Sequence, residues 1–250
     1  MRFYTGVHMV TLASYVDRAF ISVNILRRKN RQSYFEVGEW LMDSGAFTEI
    51  KDYGNFRYPV QEYAEWINRF ADCGKLEMAV AQDYMCEPYM LKRTGLTITG
   101  HQRLTIERYD SLLPLSIIPI MPVLQGYEPS EYVQHLEMYG DRLSQGMRVG
   151  VGSVCKRNKN PQAIANVLEA IKKKRPDLRL HGFGLKTTAL KDAYILSMLY
   201  SADSMAWSMA ARRQGRDANS GLEASNFASD IQTLAGKKPH QLHLTRDSLP

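Results

Sequence analysis

Three aspartates stand at or just after apolar segments of the chain, where their carboxyl groups could act together. Asp43 ends LMD, Asp83 ends AVAQD, and Asp203 lies in ADSMAWS. A carboxylate can act as a nucleophile or as a general acid and base, and an ionised carboxylate can recognise ring N–H donors. Carboxylates gathered in one enclosed pocket cannot all stay charged without cost, so such a group favours a site that performs chemistry.

The structural alternative for each aspartate is a helix N-cap, whose side chain accepts hydrogen bonds from the first N–H groups of the next helix. Asp43 precedes Ser-Gly and Asp203 precedes Ser204, and both fit that role. Three aspartates at strand ends, each with apolar residues immediately upstream, favour a shared site over three separate caps.

Other polar or small residues end the same kind of segment. Gln125 follows MPVL, and its carboxamide can both donate and accept hydrogen bonds. Lys186 follows HGFGL, and His8 ends the first apolar segment, where a purely structural role is the alternative. Four glycines either leave the backbone open to a planar ligand or serve packing between strands. They are Gly150, Gly152, Gly182 and Gly184.

The elements that must position these residues alternate between short apolar segments and amphipathic stretches. The predicted strands are Phe3–Met9, Phe20–Leu26, Trp40–Asp43, Leu76–Asp83, Ile117–Gln125, Met147–Gly152, Arg179–Leu185 and Ala202–Trp207. The predicted helices are Pro59–Cys73, Thr94–Leu113, Pro129–Leu143, Pro161–Lys174, Thr187–Tyr200 and Asn219–Leu234. Eight strands in a chain of 250 residues predict an α/β fold, a single (β/α)8 TIM barrel over 1–235 with an irregular tail over 236–250. In such a barrel the carboxyl ends of the strands converge on one mouth.

The composition of the chain indicates which class of partner it binds and in which cellular compartment it is expected. The chain carries 32 Lys and Arg against 26 Asp and Glu, a net charge of +6, and part of the excess is clustered around Arg27 and Arg212. A phosphate-rich partner would explain this clustering, and solvated helix ends are the alternative. The 3 cysteines lack the spacing of a zinc site or a disulfide framework, so we expect no metal and a cytoplasmic location. The first 20 residues do not have the pattern of a signal peptide.

Six segments in the same order resemble motifs of the tRNA-guanine transglycosylase family, (β/α)8 barrels that exchange bases in nucleic acid. DSGAF at 43–47 resembles an Asp-Ser-Gly-Gly-aromatic motif, and QD at 82–83 resembles the segment whose Asp binds the base. VLQG at 123–126, VGVG at 149–152 and HGFG at 181–184 resemble a Val-Gln-Gly turn and two glycine-rich strand ends. ADS at 202–204 resembles the strand that carries the nucleophile, with Arg212 at a phosphate-binding position.

The resemblance implies a role for each of these residues. Asp203 would attack the anomeric carbon of a guanosine nucleotide, and Asp43 would be the general acid and base. Asp83 would accept hydrogen bonds from guanine N1–H and the exocyclic amine, while Phe47 would stack on the base. Gln125, with backbone N–H groups of 150–152, would hold the carbonyl or 7-substituent side. The substrate-binding set is completed by Gly150, Val151, Gly152 and Gly184, and the phosphate-binding set is Lys186, Arg212 and Arg213.

Departures from the family indicate which nucleic acid is the substrate. The tRNA enzymes carry a zinc subdomain after the nucleophile strand, but no cysteine follows Cys155 here. Ala46 replaces the second glycine of the Asp motif, Gln82 stands where an acidic residue is common, and Met209 replaces an Arg. The chain therefore resembles the compact, zinc-less branch that inserts 7-deazaguanine precursors such as preQ0 into DNA. That resemblance implies DNA and a 7-deazaguanine base as partners, and no cofactor.

Three other functions remain open at this point. The same guanine exchange could take place on tRNA. An N-glycosidase would hydrolyse the intermediate with water instead of a second base. A non-catalytic nucleic-acid-binding barrel would retain affinity without turnover, although intact Asp43 and Asp203 argue against it.

Overall fold

A computed structural model describes residues 1–28, 33–157 and 160–236 of the chain. Within them, nine parallel strands form one sheet. The strands are β1 (Arg2–Val7), β2 (Arg18–Ser22), β3 (Glu39–Asp43), β4 (Lys75–Val80), β5 (Ile120–Met121), β6 (Val123–Leu124), β7 (Arg148–Val151), β8 (Arg179–Gly182) and β9 (Leu199–Ser204). Their order is β5-β4-β3-β2-β1-β9-β8-β7-β6.

The two ends of this sheet meet at Pro122. β5 pairs with β4, β6 pairs with β7, and only Pro122 separates β5 from β6. Proline has no N–H to donate to a sheet, but its carbonyl accepts a hydrogen bond from the Gly150 N–H at 2.8 Å. Segment 120–124 thus serves as one strand of an eight-stranded barrel. The predicted α/β fold, a single (β/α)8 TIM barrel, is confirmed.

Helices cover the outside of the barrel. They are α1 (Val23–Arg28), α2 (Ala46–Tyr53), α3 (Val60–Arg69), α4 (Pro88–Thr94), α5 (Ile98–Leu112), α6 (Pro129–Tyr139), α7 (Pro161–Lys174), α8 (Thr187–Leu190), α9 (Ala193–Met198), α10 (Ala206–Arg213) and α11 (Gly221–Gly236). In α7, Ile164, Leu168 and Ile171 are buried at the spacing of one helical face. Within the described ranges, no helix has both the length and the apolar character needed to cross a bilayer.

Each predicted strand overlaps an observed one, but several boundaries differ. The predicted strand Phe20–Leu26 ends at Ser22, and the residues that follow it begin α1 instead. The Ser22 hydroxyl accepts the Asn24 N–H at 3.4 Å and starts this helix. The predicted helix Thr187–Tyr200 is two helices, because Asp192 caps α9 by accepting from the Tyr194 N–H at 2.9 Å.

Strand periodicity explains how the barrel interior presents polar groups. Residues two apart share a face of a strand, so Asp43 lies on the same side as Leu41. Leu41 packs with Tyr4 and Met121 inside the barrel. Asp203 pairs in register with Tyr4 and points to the same interior.

Gly236, the first residue of the predicted irregular tail 236–250, is the last residue of α11. The remainder, 237–250, lies outside the described residues. The division of the chain at 235 stays a prediction.

Candidate active site

Two neighbouring cavities lie at the carboxyl ends of the barrel strands. The first cavity has a volume of about 230 Å³ and includes Asp83, Gln125 and Gly152 in its lining. The second cavity has a volume of about 320 Å³ and includes Asp203. Asp43 lines both cavities, as do two aromatic residues. The three predicted carboxyl groups therefore share one mouth, with Asp43 in the middle.

Asp43 is the last residue of β3, and its carboxyl group is held by short-range donors. Oδ2 accepts the Gly45 N–H at 3.1 Å, and the Ser22 hydroxyl is a second donor. Burial raises the pKa of Asp43 to about 6, the charge of Asp203 adds to the increase, and the two hydrogen bonds oppose it. Gly45 is the N-cap of α2, so Asp43 supports the start of that helix and also faces the other carboxyl groups.

Asp83 and Gln125 form a buried pair in the first cavity. Asp83 lies three residues after β4, and Gln125 directly follows β6. The Gln125 Nε2 donates a hydrogen bond to the Asp83 Oδ2. Burial and the charge of Asp43 raise the pKa of Asp83 to about 7, whereas the hydrogen bond from Gln125 lowers it. At neutral pH this carboxyl group is poised between its two protonation states.

Ser153 fixes the carboxamide of Gln125 from the other side. Its Oγ lies 2.7 Å from Gln125 Oε1 and 2.9 Å from Glu87 Oε2, and it accepts the Cys86 N–H at 2.9 Å. One hydroxyl proton can serve only one of the two oxygens at a time. Ser153 has a φ of 56°, a left-handed conformation that is uncommon for any residue but glycine. Such strain persists where the surroundings require it, and here it aims the hydroxyl at the carboxamide.

Gly150 in β7 and Gly152 directly after it make room rather than present free donors. The Gly150 and Gly152 N–H groups are bonded to Pro122 O at 2.8 Å and Leu124 O at 2.9 Å. The expectation that these two N–H groups hold the base is therefore wrong, because sheet pairing already uses them.

Space is what each of these glycines provides. A Cβ on Gly152 would lie 2.1 Å from Gln125 Nε2, and one on Gly150 would lie 2.3 Å from the Phe183 ring. Gly152 lines the first cavity. Gly150 and Val151 are absent from the linings of both cavities, and Val151 is buried in the core.

Asp203 is buried in β9, with two nitrogen atoms close to one of its oxygens. Oδ1 accepts the Gly184 N–H at 3.1 Å and lies 3.3 Å from His181 Nε2. Burial raises the pKa of Asp203 to about 7, and the Gly184 hydrogen bond opposes this shift. The first N–H of α10 bonds instead to the Ser204 hydroxyl at 3.2 Å. The capping alternative therefore fails for Asp203.

Gly184 provides its N–H because of its backbone conformation. Its φ of 61° is in the left-handed region that glycine adopts without strain. A Cβ there would lie 3.0 Å from the Cys155 Cβ. Gly184 also lines the first cavity, so it connects that cavity to Asp203.

The remaining predicted residues divide into rim and outer surface. Phe47, on α2, is 40% exposed and lines both cavities. Lys186 precedes α8, and Arg212 and Arg213 lie in the last turn of α10. All three basic residues are exposed, and none lines either cavity.

His8 lies at the rim of the second cavity. Its Nε2 is 2.8 Å from Asn219 Oδ1, and its ring stacks on Trp207 with centroids 5.6 Å apart. Trp207 in turn donates to the Gly6 carbonyl at 2.8 Å. These contacts agree with a structural role for His8 in joining the end of β1 to α10.

Sequence reasoning missed several residues of this mouth. Ser153 and Glu87 have no distinctive signal, since Glu87 reads only as the start of a helix before Pro88. His181 stands inside the HGFG segment, and strand periodicity would have placed it on the same face as the cavity. Across residues 1–28, 33–157 and 160–236, no three His, Cys, Asp or Glu side chains are grouped to hold a metal ion.

The fold and the mouth define a (β/α)8-barrel protein with a cleft lined by three carboxyl groups of raised pKa. The chain belongs to the DpdA family, DeoxyPurine in DNA protein A, whose family model matches residues 1–230. A comparison with curated proteins finds no match. Membership of this family confirms the resemblance to the DNA-acting branch, and it supports DNA guanine modification by transglycosylation in general terms.

Proposed function

We propose that this protein replaces guanine in DNA with a 7-deazaguanine base of the preQ0 type through a covalent bond between Asp203 and deoxyribose. The observation that carries the proposal is the convergence of Asp43, Asp83 and Asp203 on one mouth, with Asp43 lining both cavities. Membership of the DpdA family supplies the nucleic acid and the class of reaction.

In the first half of the reaction, a carboxylate oxygen of Asp203 attacks C1′ of the target deoxyguanosine. The C1′–N9 bond breaks, its electron pair leaves with the purine, and Asp43 donates the proton that neutralises it. The product is a deoxyribosyl ester of Asp203. Forming this ester divides one difficult displacement into two easier ones.

In the second half, the incoming base occupies the position that guanine has left. Asp43, now ionised, takes the proton from its N9–H, and N9 attacks C1′. The ester bond breaks and Asp203 returns as a carboxylate. Two successive inversions restore the configuration at C1′, so the modified nucleotide keeps the β-configuration.

Base recognition belongs to the first cavity. Asp83 accepts hydrogen bonds from N1–H and the exocyclic amine, which adenine cannot offer in the same arrangement. Gln125 is oriented by Asp83 and Ser153 and faces the carbonyl or the 7-substituent. Hydrogen bonds to a charged group contribute about 1.5–3 kcal/mol each, so Asp83 dominates this discrimination.

The target guanine must leave the base stack of DNA to enter the pocket. Opening a base pair costs a few kcal/mol, which is offset by contacts in the pocket and by stacking on an aromatic residue. Phe47 stands at the rim with its ring partly exposed and provides that surface. Lys186, Arg212 and Arg213 lie outside the cavities and bind flanking phosphates.

The test supplies the full chain with labelled guanine and, in parallel, duplex DNA, single-stranded DNA or tRNA. We expect the label to enter DNA and not tRNA, and unlabelled preQ0 to displace guanine from DNA. Labelling of tRNA alone would replace the proposal with the tRNA reaction. Release of guanine from DNA without an incoming base would identify an N-glycosidase.

A further inference from the structure

A series of hydrogen-bonded, buried polar groups runs from Asp203 into the barrel interior, away from the mouth. Below Asp203, His181 Nδ1 lies 2.9 Å from Ser201 Oγ. Ser201 Oγ accepts from Arg148 Nε at 3.1 Å. His181 and Ser201 are fully buried, and Arg148 is 9% exposed. Polar groups are placed this deeply only when each is paired.

At the end of this series that lies farthest from the mouth, two side chains hold Arg148 in place. Its Nη1 donates to Tyr4 Oη at 3.2 Å and to Glu77 Oε2 at 3.3 Å. The Tyr4 hydroxyl also donates to Glu77. The carboxylate of Glu77 thus compensates the buried guanidinium, which has no freedom to turn away from Ser201.

Donor chemistry decides the direction of every bond. Arginine can only donate, and Arg148 points Nη2 at His181 Nδ1 from 3.5 Å as well as Nε at Ser201. The Ser201 hydroxyl therefore gives its own proton to His181 Nδ1. Burial and the charge of Arg148 keep the pKa of His181 well below its ordinary value. His181 is neutral, and its ring proton lies on Nε2.

We propose that His181 is a positioning residue for the nucleophile: its Nε2–H and the Gly184 N–H both bind Asp203 Oδ1 and leave Oδ2 as the oxygen that attacks C1′. This inference rests on the proposed function and assigns one oxygen and one rotamer to the attack. A neutral donor stabilises the ionised carboxylate without forming an ion pair that would quench its nucleophilicity.

The surroundings of Asp203 make such a donor necessary. Burial disfavours the ionisation of Asp203, and Asp43, which faces it from β3, stays protonated in the proposed reaction. His8 lines the same cavity from the end of β1, but its contacts are with Asn219 and Trp207. Among the titratable side chains that the structure describes around Asp203, His181 is the one within hydrogen-bond distance of its carboxyl oxygens.

Two substitutions of His181 test whether it acts as a hydrogen-bond donor or only as a ring that fills space. His181→Leu removes the N–H, and His181→Gln keeps a donor of similar reach. The pH dependence of ester formation is measured in a single turnover on DNA. We expect the Leu variant to react about tenfold or more slowly at neutral pH, with its acid limb moved to higher pH because Asp203 ionises less readily. We expect the Gln variant to recover most of the rate and KM for DNA to stay within about twofold in both.

A matched control removes a different buried histidine. The ring nitrogens of fully buried His101 lie 2.7 Å from the Met85 carbonyl and 2.7 Å from Thr94 Oγ1, so His101→Leu reports the loss of a buried, hydrogen-bonded histidine that does not contact Asp203. Equal rates for the Leu and Gln variants, or an unmoved acid limb, would overturn the inference while wild-type exchange stands. No exchange by the wild type would instead overturn the proposed function.

A measurement on the wild type decides the case if the variants do not fold. Nitrogen NMR of labelled histidine should show His181 neutral with the proton on Nε2, and Asp203→Asn should shift that nitrogen more than Nδ1. A proton on Nδ1 would contradict the inference.

Discussion

At the scale of single residues, the site consists of carboxyl groups held where water cannot stabilise their charge. The pKa of Asp203 rises from 3.8 to about 7, chiefly through burial. The proposed nucleophile must be ionised to attack, whereas its buried environment favours the protonated carboxyl group. The Gly184 N–H recovers part of that loss, and His181 adds to it in the tautomer that we propose. Function and stability therefore make opposite demands on one side chain.

Asp203→Asn should remove exchange and stabilise the fold. Between about pH 4 and 7 the folded protein keeps a proton on Asp203 that the unfolded chain has lost, so the free energy of unfolding falls as the pH rises. Asparagine removes that penalty, up to about 4 kcal/mol at pH 8. Urea unfolding at pH 5 and pH 8 measures the difference. Equal stability of the wild type and the variant at pH 8 would count against a buried, ionised Asp203.

Asp177 offers a control of opposite sign. Its ion pair with Arg175, at 2.8 Å, holds its pKa below the ordinary value. Its contribution to stability is present above the unfolded pKa of about 4 and lost as the pH falls below it. Asp177→Asn should therefore lower the free energy of unfolding at pH 8, or leave it unchanged, and leave exchange intact.

The pH dependence of kcat/KM should be bell-shaped. Asp203 must be ionised, which favours pH above about 7, and Asp43 must be protonated, which favours pH below about 6. The two requirements are best met together near about pH 6.5. Steady-state rates from about pH 5 to 9 test this. In Asp43→Asn the alkaline limb should disappear, and an alkaline limb that persists would assign it to another group.

At the scale of elements, the sequence predicts the strands well because their apolar content and spacing are local properties. The sequence alone places Asp43 and Asp203 on one mouth, since the carboxyl ends of the parallel strands in a barrel lie on the same side. It does not reveal the split at Pro122 or the helix after Ser22, because pairing partners and capping decide them. The left-handed backbone of Ser153 depends on its neighbours, so no local pattern reveals it.

Gly152 is the element-scale test of base recognition. A methyl group there would overlap Gln125 Nε2, which a buried pair with Asp83 holds in place. Gly152→Ala should displace the carboxamide, destabilise the fold by about 1–3 kcal/mol and raise KM for the base more than it lowers kcat. Competition assays with guanine and preQ0 measure the change.

A glycine in a helix serves as the control for that substitution. Gly100 lies in α5, where a Cβ would meet only ordinary contacts starting at 3.4 Å. Gly100→Ala should leave the KM values for guanine and for preQ0 unchanged. Equal effects of the two substitutions on KM would show that Gly152 does not shape a base site.

At the scale of the whole molecule, the proposed catalytic residues and the proposed phosphate-binding residues occupy different places. The carboxyl groups lie within the mouth, whereas the basic residues Lys186, Arg212 and Arg213 are exposed outside the cavities. The net charge of +6 favours a polyanion over a small anionic ligand. Affinity for DNA should thus depend on residues that do not affect the reaction itself.

Replacing both Arg212 and Arg213 with Ala should weaken DNA binding uniformly across sequences. For every phosphate that the protein no longer neutralises, the slope of log K against log salt becomes shallower by about 0.9. Binding isotherms between about 50 and 300 mM salt, where such slopes are linear, measure this. Lys173→Ala is the control, because Lys173 is exposed in the last turn of α7. An unchanged slope in the double variant would remove both arginines from the interface.

A bond between Asp203 and deoxyribose during base exchange can be trapped by denaturing the protein in mid-reaction. DNA containing one guanine is mixed with the full chain without an incoming base, quenched in acid and digested, and the peptides are analysed by mass. We expect a deoxyribosyl adduct on the peptide that contains Asp203, and we expect it to disappear when preQ0 is added before the quench. An adduct on the peptide of Asp43, or exchange with no adduct and no effect of Asp203→Asn, would contradict a bond between Asp203 and deoxyribose.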